Sequence, residues 1–172
     1  FNKQIAEEIK KINKNLDIEL KKIKIVLNPL NFNINAKTIG PEIRIKEKSV
    51  EIEKIQSQIS IQALLDKNFS LSNLEVSTKS IQIKELISFI RELKKDPKLY
   101  ILERLVKKGY LIADLNFEFD TNGKIKKNFE INGIIEDGEL SFLKEYNISK
   151  LNFVFNLNNK SYIFKDLKLS LN

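Results

Sequence analysis

The chain has 172 residues, a formal net charge of +7 from 30 Lys and Arg against 23 Asp and Glu, and 42% hydrophobic residues. This length fits one ordinary domain or a section of a longer protein, and the apolar content is sufficient for a buried core. The sequence contains no Cys and no His. Their absence excludes disulfides, thiol nucleophiles, Ser-His-Asp triads and zinc sites built from Cys or His.

The first residues carry apolar side chains at helical spacing, which predicts an amphipathic helix over residues 1–16. These side chains are Ile5, Ile9, Ile12 and Leu16. From Asp17 the apolar period changes to two, and short alternating stretches continue to residue 84. Turns are expected at Asn28-Pro29 and at Gly40-Pro41. Residues 17–84 are therefore predicted to form a first β segment, an antiparallel meander that includes a strand over Leu30–Ile34 and ends in one with Ile81 and Ile83.

Helical spacing returns over residues 85–108, which predicts a two-helix insertion between two β segments. Asp96 followed by Pro97 is the pattern of a helix N-cap with Pro at the first helical position. Gly109 is expected to end the second helix.

Residues 109–172 are predicted to form a second β segment, because apolar and polar side chains alternate most regularly there. Turns are expected at Asp120–Gly123, at Glu136–Gly138 and at Asn158-Asn159. The apolar positions of this segment are the candidate site residues: Leu111, Ala113, Leu115, Phe117, Phe119, Phe129, Ile131, Leu140, Phe142, Leu151, Phe153, Phe155, Phe164, Leu167 and Leu169.

The predicted fold is mainly β with α insertions, a single curved antiparallel sheet with one polar and one apolar face. Burying one Phe or Leu side chain contributes roughly 1.5–3 kcal/mol, so a whole face of them cannot stay in water. A second sheet, the helical insertion, a partner or the acyl chains of lipid would each cover it. The residues alone do not choose among these.

Charged residues are interpreted as a solvated outer surface. The paired acids Glu7/Glu8, Glu51/Glu53 and Glu136/Asp137 are interspersed with Lys. The Lys residues themselves occur as scattered pairs between acids, and only three basic residues are Arg, the residue best suited to phosphate and base recognition. We therefore expect no enzyme activity, no metal or cofactor and no nucleic-acid partner.

Three stretches resemble the AsmA-like family, the bridge-like lipid-transfer proteins of the bacterial envelope. The stretch Ile59–Val76, ISIQALLDKNFSLSNLEV, is similar to a recurring strand–turn–strand signature of that family. The strands GYLIADLNF at 109–117 and FEINGIIEDGEL at 129–140 are similar to its glycine-containing strands.

The resemblance implies a taco-like open groove that binds and conducts phospholipid acyl chains between the inner and outer membranes, with the candidate site residues as its lining. It also implies a periplasmic location in a Gram-negative bacterium, an inner-membrane anchor N-terminal to this sequence, and outer-membrane proteins as further partners. The chain begins without Met and still alternates at its last residues, so we expect a section of a longer protein. The alternative is a closed β-sandwich, a structural or interaction module without a lipid ligand.

Overall fold

The computed structural model describes residues 16–30, 32–61, 71–120, 125–143 and 146–171. The helix predicted over residues 1–16 lies outside this range, except that Leu16 is the first residue of a strand. The strands are β1 Leu16–Glu19, β2 Lys22–Asn28, β3 Asn33–Ile39, β4 Glu42–Ile45, β5 Lys48–Ser60, β6 Leu71–Thr78, β7 Ile81–Gln82, β8 Val106–Phe119, β9 Ile125–Leu143, β10 Tyr146–Asn158 and β11 Tyr162–Leu171. The helices are α1 Ile83–Leu93 and α2 Pro97–Leu105.

All eleven strands belong to one antiparallel sheet that is not closed. Strands hold 72% of the described residues, which confirms the mainly β class. The long strand β5 pairs with β4 along its first half and with β3 along its second half. From β5 the order continues through β6, β8, β9 and β10 to β11, with β7 also paired to β8.

A line of strand interruptions crosses the sheet. The corner Gly40-Pro41 joins β3 to β4, and its backbone bonds to Glu53 and Ile52 of β5 at 2.8 and 2.9 Å. Two other interruptions are breaks between strands, at Leu20-Lys21 and Lys79-Ser80. The remaining ones are residues with positive φ angles inside strands β8 to β11: Gly109, Asp137, Lys150 and Asp166. We call this set the line of interruptions. Bulges and corners bend a strand locally, so their alignment is consistent with a curved sheet.

Helix α1 packs on the sheet on one side of this line. The buried cluster Ile45, Val50, Ile52, Ile81 and Phe89 joins α1 to β4, β5 and β7. At the rim, Lys46 pairs with Glu92 of α1, and the Lys48 ammonium donates to the Ser88 hydroxyl. The core therefore lies where α1 covers the sheet.

The helix boundaries agree in part with the prediction. The Asp96 carboxylate accepts a hydrogen bond from the Lys98 backbone N–H at 2.9 Å and Pro97 begins α2, which confirms the cap. Two expectations were wrong. Ile83 begins α1 instead of continuing a strand, and α2 ends at Leu105, before Gly109. Gly109 lies inside β8 at φ +140° because β8 already pairs with β9 from Val106 onward.

The turns also differ in part. Asn158 makes the expected turn, and its side-chain oxygen accepts from the backbone N–H groups of Lys160 and Ser161 at 2.9 Å each. The turn predicted at Glu136–Gly138 is wrong, since these residues form a bulge inside β9 with Asp137 at φ +50°. The expected strand at Leu30–Ile34 begins only at Asn33, and Leu30 is 90% exposed. The turn expected at Asp120–Gly123 lies outside the described residues beyond Asp120.

Two identical substitutions test this location of the core. Phe89→Ala removes a ring that is 6% exposed and is expected to lower the free energy of unfolding by about 3–5 kcal/mol. Phe164→Ala removes a ring that is 60% exposed and touches Phe153 edge-on, so a loss of about 1 kcal/mol is expected. Urea unfolding followed by circular dichroism measures both. Equal losses would contradict a core built at α1.

Candidate functional site

The pairing register places the candidate site residues on one face of the sheet. Phe117 of β8 lies between Leu74 of β6 and Phe129 of β9. Phe155 of β10 lies between Gly133 of β9 and Phe164 of β11. Strand pairing, or alternation along a strand with its bulges taken into account, assigns the remaining candidates to the same face: Leu111, Ala113, Leu115, Phe119, Ile131, Leu140, Phe142, Leu151, Phe153, Leu167 and Leu169. We call this surface the apolar face.

One cross-strand row crosses the whole width of the apolar face without a charged side chain. This central row is Ile23, Thr38, Ile55, Val76, Leu115, Ile131, Leu157 and Tyr162, one residue from each of eight strands. At about 4.8 Å between neighbouring strands it extends over about 34 Å. The line of interruptions lies on the same side of the central row in every strand.

The apolar face includes residues of the first β segment that were not among the candidates. Ile25 and Leu27 of β2, at 52% and 60% exposure, pair with Ala36 and Ile34 of β3. Ile34 in turn pairs with Ile59 of β5. Their alternation is visible in the sequence, but only the register shows that this segment continues the same face.

Three rings and a glycine shape the surface near β10. Phe153 lies 6.1 Å from Phe155 and 5.8 Å from Phe164, measured between ring centroids. A Cβ added at Gly133 would lie 2.4 Å from Cζ of Phe155 and 2.8 Å from the Ile112 carbonyl oxygen. The absence of a side chain at Gly133 therefore lets the Phe155 ring lie down on the sheet.

Coverage of the apolar face is uneven. Ala113 is buried, while Leu115, Phe117, Phe129, Phe153 and Phe155 are half-buried. Four candidates at the β9 and β11 end are largely exposed: Phe142 at 45%, Phe164 at 60%, Leu167 at 60% and Leu169 at 42%. The described residues form one sheet and provide no second sheet over these side chains.

The opposite face carries most of the polar side chains, together with the exposed Ile112, Ile134 and Val154. The Glu130 carboxylate accepts from the side-chain amides of Asn132 and Asn156 at 3.1 and 3.0 Å. Asn158 donates to Asn156 at 3.2 Å and extends this ladder. Hydrogen-bonded amides and carboxylates on one side and Phe and Leu on the other give the sheet two chemically distinct surfaces.

Charged groups are paired at the surface near β1 and β4. Hydrogen bonding by Arg44 lowers the pKa of Glu42 to about 2, and the Lys46 ammonium lowers the pKa of Glu92. Glu51 pairs with Lys79 at 3.1 Å. Among the described residues no group of three or more acidic side chains is placed to hold a metal ion.

No protein-family model matches this chain, and a search of curated proteins finds no significant match. Neither helix of the described residues is long and apolar enough to cross a bilayer.

The contact between Gly133 and Phe155 can be tested directly. Gly133→Ala is expected to lower the free energy of unfolding by about 1–3 kcal/mol, because the new methyl group overlaps a ring and a backbone oxygen. Combining it with Phe155→Leu is expected to restore part of the lost stability. The smaller side chain removes the overlap with the Phe155 ring, whereas the overlap with the Ile112 carbonyl oxygen remains. A thermal or urea double-mutant cycle measures this coupling. Strictly additive effects would show that the ring does not lie over Gly133.

Proposed function

We propose that the apolar face binds the acyl chains of phospholipids. The observation that carries this proposal is the central row, an uncharged path across eight strands that is flanked by half-buried and exposed Phe and Leu side chains. Transfer of such side chains from water to hydrocarbon is favourable by about 25 cal/mol per Å² of apolar surface. A flexible hydrocarbon chain covers this surface without needing a matched set of polar partners.

The binding groove is proposed to run along the central row, perpendicular to the strands. The line of interruptions supports this direction, because it runs along one side of the row, and bends at these positions towards the apolar face would raise one wall of the proposed groove. The central row is about 34 Å long, close to the roughly 30 Å hydrocarbon thickness of a bilayer. One acyl chain extends through about half of that thickness, so the row is long enough for an acyl chain to lie along it with room for a second.

The wider role proposed is that of a section of an AsmA-like envelope protein. In this role the chain stands in the periplasm of a Gram-negative bacterium, attached to the inner membrane outside this sequence, and conducts phospholipid between inner and outer membranes. The motifs at 59–76, 109–117 and 129–140 support the family assignment. Binding and passage of lipid need no bond-making chemistry, so the proposed role is not enzymatic.

A second candidate is an interaction module whose apolar face is covered by protein. The outer edge of β11 favours it, because Tyr162, Phe164 and Leu171 are 60–74% exposed on a strand that pairs on one side only among the described residues. A closed sandwich of this kind would need a second sheet from residues other than those described.

Site-specific photo-crosslinking in cells separates the two candidates. A crosslinking residue at Phe117 or Phe153, both on the apolar face, is expected to capture phospholipid. The matched positions Glu118 and Asn156, in the same strands but on the polar face, are expected to capture little. Mass spectrometry of the crosslinked species identifies the adduct.

Equal lipid capture at all four positions would contradict the proposal. Capture of one defined protein at Phe117 and Phe153, with no lipid, would favour the interaction module instead.

A further inference from the structure

The helix α2 has an unusual position for an element rich in apolar residues. None of its residues is buried, and Tyr100, Ile101 and Leu102 are 53%, 57% and 42% exposed. Leu93, at the end of α1, is 39% exposed. Helix α1 joins the sheet core through Phe89 and Leu86, whereas α2 has exposed apolar side chains.

Basic side chains surround these exposed residues. Residues 83–108 carry eight basic and four acidic side chains, a net charge of +4 within a chain of +7. Three of the four acids have partners within the protein: Glu92 pairs with Lys46, Glu103 pairs with Arg91, and Asp96 caps α2 and lies 3.8 Å from the Lys94 ammonium, which stays largely exposed. Within the described residues no acidic group pairs with the basic side chains Lys95, Lys98, Arg104, Lys107 and Lys108.

Tyr100 connects the apolar and basic parts. The guanidinium carbons of Arg91 and Arg104 lie 5.7 and 6.0 Å from its ring centroid, so both cations are held beside an exposed aromatic ring. A guanidinium group donates in a fork that matches phosphate oxygens. An aromatic ring with a polar hydroxyl suits the boundary between headgroups and hydrocarbon.

We propose that α1 and α2 form a docking surface for an anionic phospholipid bilayer. Ile101, in the middle of the exposed side of α2, enters the headgroup region with Tyr100 and Leu102 on either side of it, and Lys94, Lys95, Lys98 and Arg104 contact lipid phosphates around them. Each cation near an anionic surface adds to the affinity, and the exposed apolar side chains beside these cations are buried on contact with the bilayer. The net charge of +4 complements an anionic surface, and long Lys side chains can reach phosphates while their methylenes cover apolar surface.

This docking surface is separate from the residues proposed to bind acyl chains. Because α1 also packs on β4, β5 and β8, docking would bring the covered end of the apolar face next to the bilayer. It therefore adds a membrane contact to the proposed lipid binding and does not depend on it.

Vesicle flotation of the full chain tests the proposal. The probes are phosphatidylcholine vesicles with and without phosphatidylglycerol, and binding is expected only with phosphatidylglycerol and to fall as salt is raised. The triple variant Lys94→Gln, Lys95→Gln, Lys98→Gln is expected to weaken partitioning on the order of 100-fold. Ile101→Ser, which keeps the charge, is expected to weaken it roughly tenfold or more.

The matched control removes the same number of charges from elsewhere: Lys160→Gln, Lys165→Gln and Lys168→Gln. This control variant is expected to bind nearly as well as the unchanged protein. Equal loss in both triple variants, equal binding to vesicles without phosphatidylglycerol, or no binding by the unchanged protein at low salt would each overturn the proposal. Circular dichroism checks that the variants are folded.

Lipid capture at Phe117 and Phe153 from a dispersed short-chain phospholipid distinguishes the two proposals. Lipid capture that the Lys94, Lys95 and Lys98 triple variant retains while its vesicle binding is lost supports a docking surface separate from the acyl-chain site. Lost capture with retained vesicle binding contradicts only the acyl-chain site.

Discussion

A single β-sheet with one apolar face has to remove that face from water, and the organisation of this protein follows from that requirement. Antiparallel pairing aligns alternating sequences so that Leu, Ile and Phe side chains of successive strands share one surface. Each such side chain contributes roughly 1.5–3 kcal/mol when it is covered. The structure covers one part of the face with a helix and leaves the rest half-buried by neighbouring side chains.

This division assigns different roles to the two parts. Where α1 covers the sheet, Phe89 of α1 and the sheet residues Ile45 and Val50 are almost fully buried and supply much of the stability of the fold. Farther from α1, towards β11, similar apolar side chains stay exposed to water. Phe164 and Leu167 lie on an edge strand, and no other described residues form a layer over them. Because the exposed apolar side chains near β11 contribute little to the stability of the fold, they are free to contact a ligand. The proposed lipid binding therefore uses the part of the apolar face that folding leaves uncovered.

The period-two alternation predicted the strands and the composition of the apolar face, because side chains in a strand point alternately to opposite faces. Local turn chemistry was less informative. Asp137 and Gly109 have positive φ angles, which are common in hairpin turns and at helix ends. Here both residues lie inside long strands, β9 and β8, because β8 and β9 continue to pair with each other, and β9 with β10, on both sides of them. The exposed apolar side of α2 could not be predicted either, since the helical stripe does not specify which residues dock on the sheet. The basic residues around it were therefore interpreted only as solvated.

Native mass spectrometry of the chain, purified gently from cells and then exposed to added phospholipid, tests the central claim most directly. Lipid binding to the apolar face predicts a protein ion with adducts whose masses match phospholipids, and a lower occupancy when Phe117 and Phe153 are both replaced by Asn. A compact monomer that copurifies with no lipid and takes up none when phospholipid is added would contradict the account.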